Sequence, residues 1–273
     1  MSHRSLSASR GAGWIIDGIA VFSGQPRTYV LACLLLGLLA SLPILGIFVG
    51  LFMPVFYAGL LSLLHRQASG EAVVPAHLFD GFQLPGAFAR VLPLVLVNLA
   101  FAFAVLVLVL VLLGPALFDL ARSAPNEPSP EQVLALMPKI GVMLLVLLPV
   151  GVVFGWVMLL ALPRAMLDEV AGVQALRESM AAMMSNLGAL LVNLLCLAAV
   201  MFVLILLAMI PLGIVGVVQQ QSPALGFLLQ IPVMAVVTGA ILVLYCATQY
   251  QAWREIFAGG NNAPPPAPDT IAL

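Results

Sequence analysis

Side chains that could carry reaction chemistry are few in this sequence, and they lie at the ends of apolar stretches. An enzyme embedded in a membrane would have to gather its reactive groups there, from Asp17, His65, His77, Asp80, Asp168 and Glu169. No Walker loop, H-E-x-x-H motif or G-x-S-x-G motif accompanies them. The histidines also lack further ligands at a spacing that would hold a metal ion. We therefore predict a protein that is not an enzyme, with no cofactor and no metal site.

The composition fits a lipid bilayer better than water. Of the 273 residues, 63% are hydrophobic and 8% are charged, whereas a soluble domain has about 45–50% apolar and about 25% charged residues. The formal net charge is -1 and no basic cluster is present. Because such a chain cannot neutralise a row of phosphates, we expect no nucleic-acid partner. The three cysteines, Cys33, Cys196 and Cys246, lie in apolar runs and are expected to pack as small residues.

Long stretches without charge predict the membrane spans. A helix needs about 20 predominantly apolar residues to cross the hydrocarbon core, where every backbone polar group must be paired internally. Four stretches can each form one span, namely residues 91–118, 140–163, 187–218 and 224–253. The stretch 28–64 is also free of charge, but as one straight helix it would reach about 55 Å. It is therefore too long for a single crossing.

The motif SLPILG at residues 41–46 predicts a turn inside that long stretch, because proline and glycine interrupt a helix. The turn makes either a hairpin of two full spans or, since its first arm is short, a re-entrant hairpin. Both arrangements return the chain to the side of the membrane from which it started. The sequence thus predicts an all-α polytopic membrane bundle with about six transmembrane helices in three hairpin pairs.

The distribution of basic residues predicts the orientation. In this topology the N-terminus, residues 65–90, residues 164–186 and the C-terminus share one side of the membrane. That side carries eight arginines, Arg4, Arg10, Arg27, Arg66, Arg90, Arg164, Arg177 and Arg254, while the other side carries only Arg122 and Lys139. Cytoplasmic loops are enriched in lysine and arginine. We therefore expect a multi-pass protein with both termini in the cytoplasm and no cleaved signal peptide.

A short motif recurs along the chain. It reads IIDGI at residues 15–19 and LFDGF at residues 78–82, and its aspartate is followed ten residues later by Arg27 and Arg90. A looser third copy, MLDEV at residues 166–170, is followed by Arg177. The sequence therefore predicts one transmembrane domain, residues 1–258, built from three related units at about 14–66, 77–163 and 166–258. The Pro- and Gly-rich tail, 259–273, is predicted to be disordered.

Each unit is predicted to begin with an amphipathic piece that lies in the headgroup boundary. In the first unit Ile15, Gly18, Ile19 and Phe22 share one helix face, and in the third unit Gly172 begins a helix with a stripe of Val173, Leu176, Met180 and Met183. The candidate interfacial or lipid-headgroup contacts are Trp14, Asp17, Arg27, Asp80, Arg90, Arg164, Asp168 and Arg177. The charges between residues 164 and 178 are expected to be solvated, and a charged gate or docking platform is the functional alternative.

Two amides are the candidate polar contacts inside the membrane. No charged residue falls in the middle of a predicted span, which argues against an ion-coupled pump. Asn98 and Asn193 do lie within predicted spans. We expect them to bond across helices or to nearby backbone, and the alternative is that they line a small polar cavity.

Four motifs carry a resemblance to known proteins. They are GWIIDGIAVFSGQP at residues 13–26, LPILG at 42–46, LPRAMLDEV with ALRESMAAMMSN within 162–186, and YQAWREIF at 250–257. Through them the chain, apart from its tail, resembles a family of uncharacterised multi-pass inner-membrane proteins of proteobacteria. More distantly it is similar to the membrane domain attached to some glycerophosphodiester phosphodiesterases. That resemblance implies a place in the bacterial inner membrane and no catalytic residues.

Two hypotheses for the function follow. The first is a non-enzymatic inner-membrane protein that organises lipids or supports a membrane complex through its cytoplasmic loops. Its partners are membrane lipids, with another membrane protein or a second copy of the chain left open. The alternative is an uncoupled transporter or channel for an apolar or zwitterionic small molecule, which requires a solvent-filled path lined by Asn98 and Asn193.

Overall fold

The computed structural model describes residues 3–123 and 130–257. Within them the regular elements are helices and no strand is present, which confirms the predicted all-α class. The helices are α1 (Arg10–Gly24), α2 (Pro26–Ser41), α3 (Pro43–Leu51), α4 (Met53–Ala68), a 3-10 helix (Pro75–Phe79), α5 (Asp80–Gln83), α6 (Ala87–Ser123), α7 (Pro130–Leu167), α8 (Gly172–Ser185), α9 (Leu187–Gln221) and α10 (Pro223–Ile256). The predicted disordered tail, 259–273, lies outside the described residues.

Four of the described helices are long and apolar enough to cross a membrane. They are Ala87–Phe118, Leu136–Leu167, Leu187–Gln221 and Pro223–Ile256. Two bent pairs raise the number to six if each pair is one span: α1 with α2, at 102°, and α3 with α4, at 71°. The chain is therefore a multi-pass integral membrane protein.

The turn predicted at residues 41–46 is confirmed. Helix α2 ends at Ser41, Leu42 is extended with ψ of 130°, and α3 begins at Pro43. A residue before proline is pushed out of the helical conformation, and proline itself is well suited to the first position of a helix. The dipeptide Leu42-Pro43 thus ends α2 after 16 residues.

The chain forms two compact units, Met1–Val95 with Met158–Leu273, and Leu96–Val157. In the first unit α10 contacts α1, α2, α4 and α9. Glycine permits the closest of these approaches, because a side chain at Gly37 of α2 would overlap the backbone carbonyl of Ala235 of α10. Membrane helices commonly pack through small residues such as this glycine. In the second unit the rings of Phe101 and Phe154 stack with their centroids 4.0 Å apart.

Helix α8 begins at Gly172, as the sequence predicts. Its buried face is made of small residues and one methionine, Gly172, Ala175, Ser179, Ala182 and Met183. A second face is apolar and exposed, since Val173, Met180 and Met184 are 54%, 55% and 64% exposed. Met183 of the predicted apolar stripe is buried with the small residues, whereas Met184, which was not in the predicted stripe, lies on the exposed face.

Candidate functional site

Polar side chains from four parts of the first compact unit meet in one region, here called the ionic layer: residues 4–17, 62–90, 164–186 and 248–257. The N–H of Arg4 donates to the carbonyl of Ile256 over 2.9 Å. The amide of Asn186 donates to the carbonyl of Arg4, also over 2.9 Å. The rings of His65 and Trp253 lie edge to face, 5.9 Å apart. These are the segments that the sequence places on one side of the membrane.

Glu255 near the end of α10 joins the ionic layer to α1. It forms a salt bridge with Arg10, whose Nε donates to Oε2 over 3.0 Å. The indole N–H of Trp14 donates to the same oxygen over 3.1 Å. Arg10 also pairs with Asp17 at 3.0 Å. Trp14 is fully buried, so its predicted headgroup position is corrected: its polar atom is satisfied inside the protein by Glu255.

Arg164 at the end of α7 is the most enclosed cation of the ionic layer. It is only 3% exposed, pairs with Asp168 at 2.6 Å and with Glu178, and lies over the ring of Phe257 at 4.8 Å. A charge buried this deeply requires such partners. Arg164 was predicted to remain at the wet interface as a headgroup contact, and the structure places it inside the protein instead.

The neighbours of Glu178 change the pKa of its carboxyl. Burial alone would raise the pKa of its carboxyl, but hydrogen bonds from Arg164 and Gln174 outweigh burial and lower the pKa below its ordinary value. Charge-assisted hydrogen bonds favour the ionised form in this way. Glu178 is thus held as a carboxylate at neutral pH.

Asp80, in α5, is a further paired carboxylate. It is 5% exposed, accepts the hydroxyl of Ser62 over 2.6 Å and lies 3.4 Å from Nε of Arg66. Arg66 also pairs with Glu71 at 3.0 Å. The predicted headgroup contact at Asp80 is therefore corrected as well, because Ser62 and Arg66 surround its carboxylate.

Arg90 of α6 contacts both the end of α7 and the connection between α7 and α8. Its Nε donates to the carbonyl of Ala165 over 3.3 Å, and it pairs with the exposed Glu169 at 3.3 Å. Glu169 has a positive φ of 56°, a conformation that L-residues seldom adopt. The strained turn at Glu169 therefore coincides with an ion pair.

The eight arginines predicted for one side divide into two sets. Arg10, Arg66, Arg90 and Arg164 form salt bridges. Among the described residues no salt bridge involves the second set, Arg4, Arg27, Arg177 and Arg254. The acidic side chains of the ionic layer all pair with the first set: Asp17, Glu71, Asp80, Asp168, Glu169, Glu178 and Glu255. The second set therefore supplies positive charge that no described salt bridge neutralises.

The amides have separate roles. Asn193 of α9 is buried and donates to the backbone carbonyl of Gly11 in α1 over 3.1 Å. This is a bond across helices, as predicted. Asn98 is half-buried in the second compact unit. Asn186, which the sequence interpretation missed, accepts the N–H of Leu6 over 2.9 Å. The signal in the sequence was an asparagine at the junction of two predicted helices.

The histidines do not assemble a metal site in the described part of the chain. His65 packs against the rings of Tyr250 and Trp253, and Nδ1 of His77 accepts the N–H of Val74 over 3.3 Å. No group of three or more His, Cys, Asp or Glu side chains in residues 3–123 and 130–257 could hold a metal ion. The geometry of the ionic layer is that of a network of paired charges.

Comparisons of the chain with models of protein families, with curated proteins and with solved structures give no significant match. The resemblance to proteobacterial inner-membrane proteins therefore stays a prediction. Any function has to be inferred from the contacts described above.

Proposed function

We propose that this protein is a non-enzymatic, multi-pass protein of the bacterial inner membrane, with both termini in the cytoplasm, that organises lipids of the cytoplasmic leaflet around its ionic layer. The observation that carries the proposal is the division of the arginines. Four of them neutralise the acidic side chains of the layer, and Arg4, Arg27, Arg177 and Arg254 make no described salt bridge.

Unpaired arginines near a membrane surface attract anionic headgroups by about 1 kcal/mol each. Arg4, Arg27 and Arg177 are exposed, and Arg254 is partly exposed. The paired arginines contribute less to such attraction, because a neighbouring carboxylate cancels their field. The paired set thus stabilises the layer, and the unpaired set recruits lipid.

Helix α8 supplies the apolar part of the lipid contact. Val173, Met180 and Met184 lie on one exposed face, and Arg177 borders that face. Because α7 and α9 are both long enough to span the membrane, α8 between them lies close to the membrane surface. An apolar stripe bordered by basic residues is typical of a helix in the headgroup boundary.

The paired carboxylates also favour a non-enzymatic role. A catalytic acid or base needs access to substrate. In the ionic layer, Asp168 is hydrogen-bonded by Arg164 and Trp253, and Asp80 by Ser62 with Arg66 beside it. Donors of the protein itself therefore occupy both carboxylates, which suits an anchoring role.

Lipid analysis of the protein in native membrane discs tests the proposal. The full chain would be extracted with its surrounding lipid by an amphipathic polymer, and the anionic lipid fraction compared with that of the bulk membrane. We expect enrichment in the wild type and loss of it when Arg4, Arg27, Arg177 and Arg254 are all replaced by Gln. Arg122→Gln, on the side predicted to be opposite, is the matched control and should retain the enrichment.

Equal lipid fractions in the wild type and the fourfold variant would contradict the proposal. A protein that co-purifies in fixed ratio with the wild type, without anionic lipid enrichment, would also contradict it and would favour support of a membrane complex instead.

A further inference from the structure

The early end of α2 leaves uncovered the face of α10 against which α2 packs. Helix α2 has 16 residues and so measures about 24 Å, which is shorter than the hydrocarbon core of about 30 Å. Helix α10 continues for 34 residues. Helix α3 begins at Pro43, after the break at Leu42. A gap therefore opens beside α10 at the level where α2 has already ended.

That gap is a pocket of about 250 Å³. Its wall on α10 is a stripe of Phe227, Gln230, Ile231, Met234 and Thr238, and the end of α2 contributes Ser41. The Ser41 hydroxyl already donates to the carbonyl of Gly37 over 2.6 Å. Gln230 and Thr238 make no side-chain hydrogen bond with the described residues, so both retain donors that can serve a ligand.

The pocket lies far from the ionic layer. At 1.5 Å per residue, Gln230 is about 35 Å from Trp253 along α10, and Thr238 is about 22 Å from it. With a hydrocarbon core of about 30 Å, Gln230 reaches the opposite headgroup boundary and Thr238 lies at the depth of the acyl chains. No charged residue lines the pocket. The polar group of its occupant is thus neutral and sits near Gln230.

We propose that this pocket binds one membrane lipid from the leaflet opposite the ionic layer. The amide N–H groups of Gln230 donate to an ester carbonyl of the glycerol backbone, and the acyl chain packs against Phe227, Ile231 and Met234. A half-buried amide is stabilised by a hydrogen-bonding partner, and an ester carbonyl is the acceptor that a lipid presents at that depth. Recognition depends on the ester and the chain and is indifferent to headgroup charge.

Photo-crosslinking tests this site. The full chain would be reconstituted in vesicles that contain phosphatidylethanolamine or phosphatidylglycerol with a diazirine in the acyl chain, and labelled peptides identified by mass spectrometry. We expect labelling concentrated at residues 40–41 and 227–238 with both lipids. Gln230→Leu removes the donor and should reduce this labelling about fivefold, the equivalent of one hydrogen bond. Met234→Trp fills the pocket and should reduce it as well.

Val236→Trp is the matched control, because Val236 is exposed on the opposite face of α10 and its replacement should leave labelling unchanged. Even labelling of exposed α9 and α10 residues, or equal labelling in Gln230→Leu and wild type, would overturn the assignment. A strong preference for phosphatidylglycerol would overturn it too. The fourfold arginine variant should label normally, so failure at the ionic layer is distinguishable from failure at this pocket.

Discussion

The indole N–H of Trp253 donates to Oδ2 of Asp168 over 2.6 Å, although the two residues are 85 positions apart in the chain. The same oxygen accepts a hydrogen bond from Arg164, also over 2.6 Å. One carboxylate therefore joins the end of α10 to the end of α7. Because Arg164 is buried, this contact belongs to the stability of the first compact unit as much as to its surface.

Replacing Trp253 by Phe should destabilise the protein, because it removes the hydrogen bond to Asp168 and retains most of the aromatic packing. Loss of one hydrogen bond to a charged group costs about 1.5–3 kcal/mol. The free energy of unfolding would be measured by SDS titration in mixed micelles. Trp156→Phe, in the second compact unit, is the control: its indole makes no described hydrogen bond, and a comparable loss there would contradict the role of the Asp168 contact.

Acidification should remove the contribution of Glu178 to stability. The pKa of Glu178 is lowered in the folded protein, so its stabilising effect is complete above the unfolded pKa of about 4.3 and is lost as the pH falls through the folded pKa. We expect Glu178→Gln to be less stable than wild type by about 1–3 kcal/mol at pH 7. Below the folded pKa the two proteins should unfold alike.

The measurement is the difference in unfolding free energy between wild type and Glu178→Gln across this pH range. The comparison isolates Glu178 from the other carboxyls, which titrate in both proteins. A difference that stays constant with pH would show that the carboxylate charge is not what stabilises Arg164.

Local sequence signals predicted the elements well. The motif SLPILG predicted an interruption within residues 41–46, where α2 ends at Ser41, and Gly172 predicted the start of α8. Such signals act over one or two turns and need no knowledge of the rest of the fold. The arginine distribution also grouped the segments that meet in the ionic layer, since charge cannot remain in hydrocarbon.

Long-range pairings could not be predicted in the same way. Trp14 was assigned to the headgroup boundary because its ring suits that zone, yet Glu255, 241 positions away, accepts its N–H inside the protein. Asp80 and Arg164 were likewise assigned to the wet surface. Periodicity shows which residues share a helix face but does not identify the helix that covers it, and a polar face covered by another polar face resembles a solvated one.

Gly37→Ala should separate α2 from α10. Its new methyl group would overlap the backbone carbonyl of Ala235, and backbone cannot move aside as a flexible side chain can. Overpacking typically costs about 1–3 kcal/mol. Gly216→Ala in α9 meets nothing within 4 Å and should be neutral or slightly stabilising, because alanine favours helix. Equal SDS resistance of the two variants would contradict this account.

Glu169→Gly should reveal the strain stored at φ of 56°. When Glu169→Gly is introduced into the wild type, it relieves the backbone strain but also removes the salt bridge with Arg90. An exposed pair of this kind contributes at most about 1 kcal/mol to the free energy of unfolding. In an Arg90→Gln background the pair is already absent. There Glu169→Gly should stabilise the protein by about 1 kcal/mol, measured by the same unfolding titration. Destabilisation in that background would show that Glu169 has another contact.

The proposed orientation predicts the compartment of each connection. Reporter domains inserted after residue 75 and fused to the C-terminus should both report the cytoplasm, because the contacts of the ionic layer place these ends of the helices together. A reporter inserted at residue 126 should report the opposite compartment. Reporters that place residue 75 and the C-terminus in different compartments would refute the topology.

The salt bridge between Arg10 and Glu255 joins residues 245 positions apart, and this separation sets the order in which the protein can be completed. At about 5–20 residues per second, the ribosome delivers Glu255 roughly 12–49 s after Arg10. During that interval Arg10 has only Asp17 as an anionic partner, and Trp14 lacks the acceptor of its indole N–H. The contacts that join α1 to α10 through Glu255 therefore form late in biogenesis, and a chain that ends before residue 255 lacks them.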